Sequence, residues 1–312
     1  MTVFTSPIPT VPVVCRTIEE FHTALKKQLP DGGTLGFVPT MGALHSGHQK
    51  LFRTASDHAD AVAISVFVNP LQFDREEDFQ NYPRQLDKDV AAAAVAGVDI
   101  VFAPDTEVMY PAGTPRVSVS AGAMGTVLEG ALRPGHFDGV CTVVAKLFNI
   151  VAAGLPRYGG ATNPDVHAFF GQKDAQQLAI ITAMVEDLNL PVQIHAVPIV
   201  RNEHGLALSS RNQRLSEDQL VQARSLHRAL SMLRDQAETG QPLDVAAAVG
   251  HIEAEMDAKV DELSVVDAET FEPLTPEQLG NPAAWPAKLL ALVAAFVGPV
   301  RLIDNMMLKG NS

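Results

Sequence analysis

Several absences narrow the reading of this 312-residue chain before any motif is considered. Only two cysteines are present, Cys15 and Cys141, which is too few for a disulfide framework and fits no zinc-binding spacing. Both are expected to be reduced, with Cys141 packed in a core. Positive charge is also scarce: 23 Lys+Arg against 36 Asp+Glu give a net charge of −13. That balance opposes a nucleic-acid partner or an anionic membrane, since each requires a basic face. A small anionic substrate stays open, because a few cations at a pocket override the net field. The longest nearly uncharged stretch, Leu289 to Val300, lies between Lys288 and Arg301 and falls short of the roughly 20 residues a membrane helix needs. It reads as a buried strand. The opening residues show no basic segment followed by an apolar one, so the expected location is the cytosol. Neither G-x-x-x-x-G-K-[ST] nor G-x-G-x-x-G occurs, which leaves out the P-loop and the dinucleotide fingerprint. No Ser-His-Asp or Cys-His nucleophile pattern is visible either.

What is present is enough for a packed protein: 46% hydrophobic and 19% charged residues, in a length that suggests two domains. The first part alternates short apolar runs with helical patterns, the signature of βαβ units and a parallel sheet. Strands are expected at Thr34 to Val38, Ala61 to Val68, Asp99 to Phe102, His167 to Phe170 and Gln193 to Val197. Helices are expected near His48 to His58, Pro83 to Ala96, Gly139 to Val151 and Ala175 to Leu188. After Val200 the texture changes. Ser216 and Gln219 resemble a capping box, followed by Leu220, Ala223, Leu226, Leu230 and Leu233 on one helical face. Asp244 then caps a second helix, and Leu263 to Val266, Leu289 to Val297 and Arg301 to Ile303 suggest a small sheet. The expected fold is therefore α/β: a Rossmann-like parallel sheet with helices on both faces over 1–199, and a smaller α+β domain over 200–312.

Chemistry concentrates in a few segments. In Gly36 to Arg53 a strand leads through a turn with Pro39, Gly42 and Gly47 into a helix, leaving free backbone N–H groups at a helix start where anions bind. His45 and His48 flank Ser46 and Gly47, small residues that let a phosphate approach the backbone, and imidazoles there can donate to phosphoryl oxygens. The pair alone would also fit a solvated helix start or half of a metal site, but no further ligand cluster accompanies it. Phe169 to Leu178 repeats the strand, turn and helix logic, with Gly171 at the turn and Lys173 as a point charge for phosphate. Asp174 could cap the helix there, and Gln177 lies one turn after Lys173; taken alone, the segment reads rather as a solvated amphipathic helix start. In Pro198 to Ser216, Ser209, Ser210 and Arg211 place two hydroxyls and a guanidinium in a row. Such a loop could close over a triphosphate, or simply cap the following helix. Asn69 and Gln72 end a buried strand with uncharged hydrogen-bonding groups, or Asn69-Pro70 is only a turn. Glu129, Arg133, His136 and Asp138 form a polar cluster whose roles chemistry alone does not assign.

Taken in order, PTMGALHSGH, VNPLQF, YPR, RPGHFDGV, FFGQKDAQQL, GLALSSRN, VDAETFEPL and RLIDN resemble the pantoate–β-alanine ligases, the pantothenate synthetases of the nucleotidyltransferase superfamily that carries H-x-G-H. H-x-G-H alone is shared with other nucleotide-using enzymes; the ordered set is specific and spans nearly the whole chain. The resemblance implies that pantoate attacks the α-phosphorus of ATP to give pantoyl adenylate and pyrophosphate, and that β-alanine then displaces AMP. It implies an ATP site lined by Met41, Gly42, Ala43, Leu44, His45, Ser46, Gly47 and His48, completed by Gly171, Gln172, Lys173, Asp174, Val200, Leu208, Ser209, Ser210 and Arg211. Within it, His48, His45, Lys173, Ser209 and Arg211 would carry the chemistry. Gln72, Gln177 and Asn69 would hold pantoate, with Gln72 also near β-alanine. Mg²⁺ would accompany the triphosphate, the protein would be a homodimer, and the smaller domain would act as a lid. Two departures stand out. Ala152 to Val166 is longer than the family's usual link, and Asp87-Lys88-Asp89 interrupts an acidic run, so those residues stay out of the expected site. A related nucleotidyltransferase acting on another small acid, and a nucleotide-binding regulator without turnover, are the alternatives. Pyrophosphate exchange over a substrate panel separates the first, and ATP binding without turnover marks the second.

Overall fold

The computed structural model describes residues 11–30, 32–155, 165–255 and 260–309. Most of the segment Ala152 to Val166, read above as an insertion, lies outside them. Contacts divide the chain into two units. One comprises the described residues up to Ala121 with Gly135–Phe170 and Ile181–Val197; the other comprises Gly122–Pro134, Gly171–Ile180 and the residues from Pro198 onward.

The first unit is built on six strands: β1 (Val13–Cys15), β2 (Thr34–Thr40), β3 (Ala61–Val66), β4 (Ile100–Phe102), β5 (Asp165–Gly171) and β6 (Gln193–Val197), in the order β1-β4-β3-β2-β5-β6. The pairs β1 with β4, β4 with β3, β3 with β2 and β2 with β5 all run parallel. Strands covered on both faces need apolar side chains at every position, and β3, Ala-Val-Ala-Ile-Ser-Val, is buried over its first five residues. On one face, Val38, Val62, Ile64 and Phe169 pack with Phe52 and Ala55 of the helix Ser46–Ser56 and Ala93 of the helix Leu86–Val95. The other face meets the helices Ile18–Gln28 and His136–Gly154, with Phe21 stacked on Phe102 at 4.7 Å and Phe37 edge-on to Phe148 at 6.4 Å. The helix His136–Gly154 is apolar and long enough to cross a membrane, but most of it is buried inside the protein.

The strand order reverses between β2 and β5, where Phe37 faces Ala168. At such a switch point ligands bind outside the carboxyl ends of the strands. Both segments read above as phosphate sites, Met41 onward and Gly171 onward, begin at those two carboxyl ends. In this unit the expected strands are found to within two residues at each end, whereas the strand expected over Arg301 to Ile303 in the other unit runs on to Lys309. Elements without a sequence expectation include the three-residue β1, the short helices Glu76–Gln80 and Thr106–Met109, and the helix Ile18–Gln28, which Thr17 and Glu20 start with a reciprocal capping box. The helix expected from Pro83 begins only at Leu86. Ahead of it the Arg84 guanidinium donates to the carbonyls of Phe79, Gln80 and Tyr82, holding that segment as a turn.

A histidine cluster lies away from the strands' carboxyl ends. His195 on β6 stacks on Phe169 at 4.8 Å, hydrogen-bonds His167 at 2.7 Å and lies 5.7 Å from His58. Burial first, then the neighbouring His167 and His58, hold its pKa below the usual value. The unfolded chain therefore takes up a proton that the folded one resists, so stability falls as the pH drops below about 6.5 and onward through the folded value. His195→Phe is expected to flatten this acid limb. Thermal unfolding of both proteins between about pH 7 and pH 5 checks it; parallel profiles would show that the cluster is silent.

The second unit holds an antiparallel sheet, β7 (Val260–Asp267), β8 (Leu289–Val297) and β9 (Val300–Lys309), in the order β7-β8-β9. The uncharged run is β8, and its central place explains its composition: seven of its nine residues are buried. The helices Arg224–Glu238 and Val245–Glu255 cover one face through Leu226, Leu230, Leu233 and Ile252. The helix expected from Ser216 is two helices, Glu217–Gln222 and Arg224–Glu238, meeting at Ala223. The Ser216 and Gln219 capping box and the Asp244 cap, which accepts the Ala247 N–H at 2.8 Å, are both formed.

Candidate active site

Beyond β2 the chain makes a left-handed bend, with Gly42 at φ 82° and Ala43 at φ 51°. A β-carbon on Gly42 would lie 2.9 Å from the Asp89 carboxylate, so conformation and space both demand glycine. The less tolerant Ala43 is held by Asp89, which accepts its N–H at 3.2 Å and that of Leu44 at 2.8 Å. Asp89 is 2% exposed. In the sequence it belongs to an interrupted acidic run; its work is to shape the turn, and only the fold brings helix Leu86–Val95 beneath residues 43 and 44. A cavity of about 260 Å³ opens beside Met41 and Asp89 in this unit.

The bend delivers His45 to the start of the helix Ser46–Ser56. Its Nδ1 accepts the Gly47 N–H at 3.1 Å, while its own N–H donates to Nδ1 of His48 at 3.2 Å. This is a capping box built from two histidines. Gly47 makes it possible, since a β-carbon there would lie 2.8 Å from the His45 ring. Because each imidazole accepts through Nδ1, each carries its proton on Nε2. The rings stand 4.1 Å apart. Burial and the adjacent His45 push the His48 pKa down to about 3, so His48 is a neutral hydrogen-bond donor at physiological pH. The two fixed Nε2–H groups suit an oxyanion, while the amides of His45 and Gly47 are taken by the histidine box itself.

Asn69 and Gln72 sit in the turn after β3 and are buried. Asn69 Nδ2 donates to Gln72 Oε1 at 3.2 Å and to the Gly139 carbonyl at 3.1 Å, and its Oδ1 accepts from Tyr110 at 2.9 Å and from the Leu71 N–H at 3.3 Å. Both donors and both acceptor positions of the amide are thereby used inside the protein. Asn69 thus orients Gln72. His136 adds a second support, donating from Nδ1 to the Gln72 carbonyl at 2.8 Å. The helix carrying Gly139 crosses so close to this turn that a β-carbon would run into the Leu71 carbonyl. Of the cluster left without roles, His136 now has one, Asp138 accepts the Ala121 N–H at 2.7 Å, and Glu129 pairs with Arg301 at 2.7 Å.

In the second unit, Gly171 leads into the 3-10 turn Gln172–Asp174, continuous with the helix Ala175–Asp187. Lys173, Ser209, Arg211 and Asn212 line one narrow crevice with Leu206, Ala207 and Asp304. The structure therefore joins segments some 35 residues apart in sequence. Ser209 caps the 3-10 turn Ser210–Arg214 by accepting the Arg211 N–H at 3.3 Å, and this turn precedes the helix that Ser216 caps. Val200 is paired with Leu208, whose N–H it accepts at 2.8 Å. Gln177 is half-buried in the first helical turn, and its neighbour Gln176 is the buried one, donating to the carbonyls of Met124 and Val127 at 2.8 and 2.9 Å. Among the described residues no group of three His, Cys, Asp or Glu side chains could hold a metal ion.

The family model described as pantoate-beta-alanine ligase matches residues 13–307. A pantothenate synthetase of Corynebacterium glutamicum is 52% identical over 278 residues, covering 88% of this chain and 94% of the relative. One from Corynebacterium efficiens is 50% identical, covering 95% and 99%. Among solved structures, the pantothenate synthetase from Thermus thermophilus superposes with a TM-score of 0.78 at 42% identity, covering 96% of this chain and 100% of that one. The pantoate-beta-alanine ligase from Francisella tularensis, complexed with beta-gamma ATP and beta-alanine, gives 0.73 at 30% identity and covers 96% and 99%.

Proposed function

Because the chain belongs to the pantoate-beta-alanine ligase family, we infer that it condenses pantoate with β-alanine at the expense of ATP, by way of pantoyl adenylate. A pantoate carboxylate oxygen bonds to the α-phosphorus, and the bond to the bridging oxygen breaks, so that pyrophosphate leaves with the electron pair. The β-alanine amine then bonds to the acyl carbon, AMP leaves, and the nitrogen gives up its proton. Activation is required because oxide is a poor leaving group from a carboxylate. Holding the reactants in line can supply effective molarities of roughly 10⁵ to 10⁸ M, so no enzyme nucleophile is needed.

In this reading the Nε2–H groups of His45 and His48 bind phosphoryl oxygens, in a site lined by Met41 to Gly47 whose amides at residues 43, 44, 45 and 47 are taken within the turn. Lys173, Ser209 and Arg211 supply further donors, with Gly171, Gln172, Asp174, Val200, Leu208 and Ser210 completing the nucleotide's surroundings. Gln72, oriented by Asn69, and Gln177 bind pantoate. Magnesium usually keeps several waters and binds through substrate phosphates, so Mg²⁺ enters as the ATP complex, as part of the substrate. The same proposal includes a homodimer working in the cytoplasm. The observation that carries it is the placement of the two phosphate-type turns at the carboxyl ends of β2 and β5, where the strand order reverses. The protein with Mg²⁺, ATP, pantoate and β-alanine is expected to release AMP and pyrophosphate in equal amounts. Release of ADP and phosphate would rule out the adenylate route.

A further inference from the structure

The Arg-Leu-Ile-Asp-Asn stretch of β9 belongs to the ordered motif set, yet no step of the chemistry uses it. Its last residue, Asn305, is 5% exposed. The Asn305 side-chain nitrogen donates to the carbonyl of Gln172 at 2.9 Å and to that of Lys173 at 2.9 Å. Two carbonyl acceptors dictate which end of the amide faces the turn, because only its NH₂ end can donate. Those carbonyls belong to the peptide planes on either side of the Lys173 α-carbon. Asn305 thus fixes both planes from which the lysine side chain departs.

The backbone of Asn305 is tied separately. Its N–H donates to Asp304 Oδ1 at 2.8 Å, and its carbonyl accepts from Arg201 at 3.0 Å. A change of side chain therefore leaves the ties that hold this part of β9 in place. We propose that Asn305 is a positioning residue for Lys173, setting the direction in which the ammonium meets the ATP phosphates. The proposal rests on the reading of Lys173 as a phosphate ligand. A lysine on a four-carbon stem is otherwise poorly directed, and a misplacement of about 1 Å can cost about 10²-fold in rate.

The test is a mutant cycle on the full-length protein, reading pyrophosphate release against ATP concentration, with thermal unfolding of every variant. Asn305→Ala is expected to lower kcat/KM for ATP by about 10- to 100-fold and to leave KM for β-alanine unchanged. Asn305→Asp, the same shape without N–H donors, is expected to be no better. If Asn305 acts through Lys173, then adding Asn305→Ala to Lys173→Ala costs less than about threefold more, because contacting residues that work together are non-additive. Two losses that multiply, or an Asn305→Asp enzyme as active as the parent, would overturn the assignment. A Lys173→Ala enzyme with unaltered kcat/KM for ATP would instead remove the reading of Lys173, and this assignment with it.

Discussion

His48→Ala is expected to slow formation of the adenylate by about 10²- to 10³-fold, the usual loss for one donor aimed at developing charge. The argument starts from the capping box: Nδ1 of His48 is occupied by the His45 N–H, which leaves the proton on Nε2. Burial and His45 hold the pKa at about 3, so the group works as a neutral donor. Two further results follow. The rate should show no inflection from this group between about pH 6 and pH 9, since it is neutral throughout that range. His48→Gln, whose amide can place an N–H near the same point, should recover part of the loss. A rate unchanged in His48→Ala would take the residue out of the chemistry. An inflection near pH 6.5 that disappears in the variant would show that it acts as an imidazolium.

Arg201→Leu is expected to destabilise the protein by about 3–5 kcal/mol, the usual cost of stranding one buried charge. Arg201 grips Asp304 through two bonds, at 2.6 and 2.9 Å, and also donates to the carbonyls of Gly205 and Asn305. The Asp304 side chain is 3% exposed against 20% for Arg201, so removing the arginine leaves a carboxylate with little access to water. Denaturant unfolding gives the loss directly. Adding Asp304→Leu to Arg201→Leu should restore part of it, because removing both charges abolishes the stranded one. A single variant as stable as the parent would mean that water reaches Asp304 after all.

Strands and helices of the first unit were legible wherever one period dominated. β3 announces itself as an unbroken apolar run, and the helix His136–Gly154 as a long apolar one. β1 was not, because three residues carry too little pattern and the strand exists by pairing with β4. The helix start at Leu86 was placed early because the bonds from Arg84 that hold the preceding turn are tertiary facts. For the proposed site, His45, His48, Lys173, Ser209 and Arg211 stand out as candidates in the sequence because their residue types sit in local patterns. Asp89 and Asn305 could not: each acts on backbone 45 to 133 residues away, and a carboxylate or an amide at such a distance looks like any other polar residue. Asn69 was legible as a residue of interest but not as a support for Gln72, since that role depends on Tyr110 and Gly139 arriving from elsewhere.

The bonds from Asn305 to the turn at Gln172 and Lys173 also bear on synthesis. The turn can fold against its own helix soon after it leaves the ribosome, but its clamp is translated 132 residues after Lys173. A nascent polypeptide halted before residue 305 would therefore carry every side chain proposed here to bind phosphate and still lack the hold on its lysine. Loss of this late strand to a protease or a premature stop codon would do the same to a finished or released molecule, at a point remote in the gene from the nucleotide motifs.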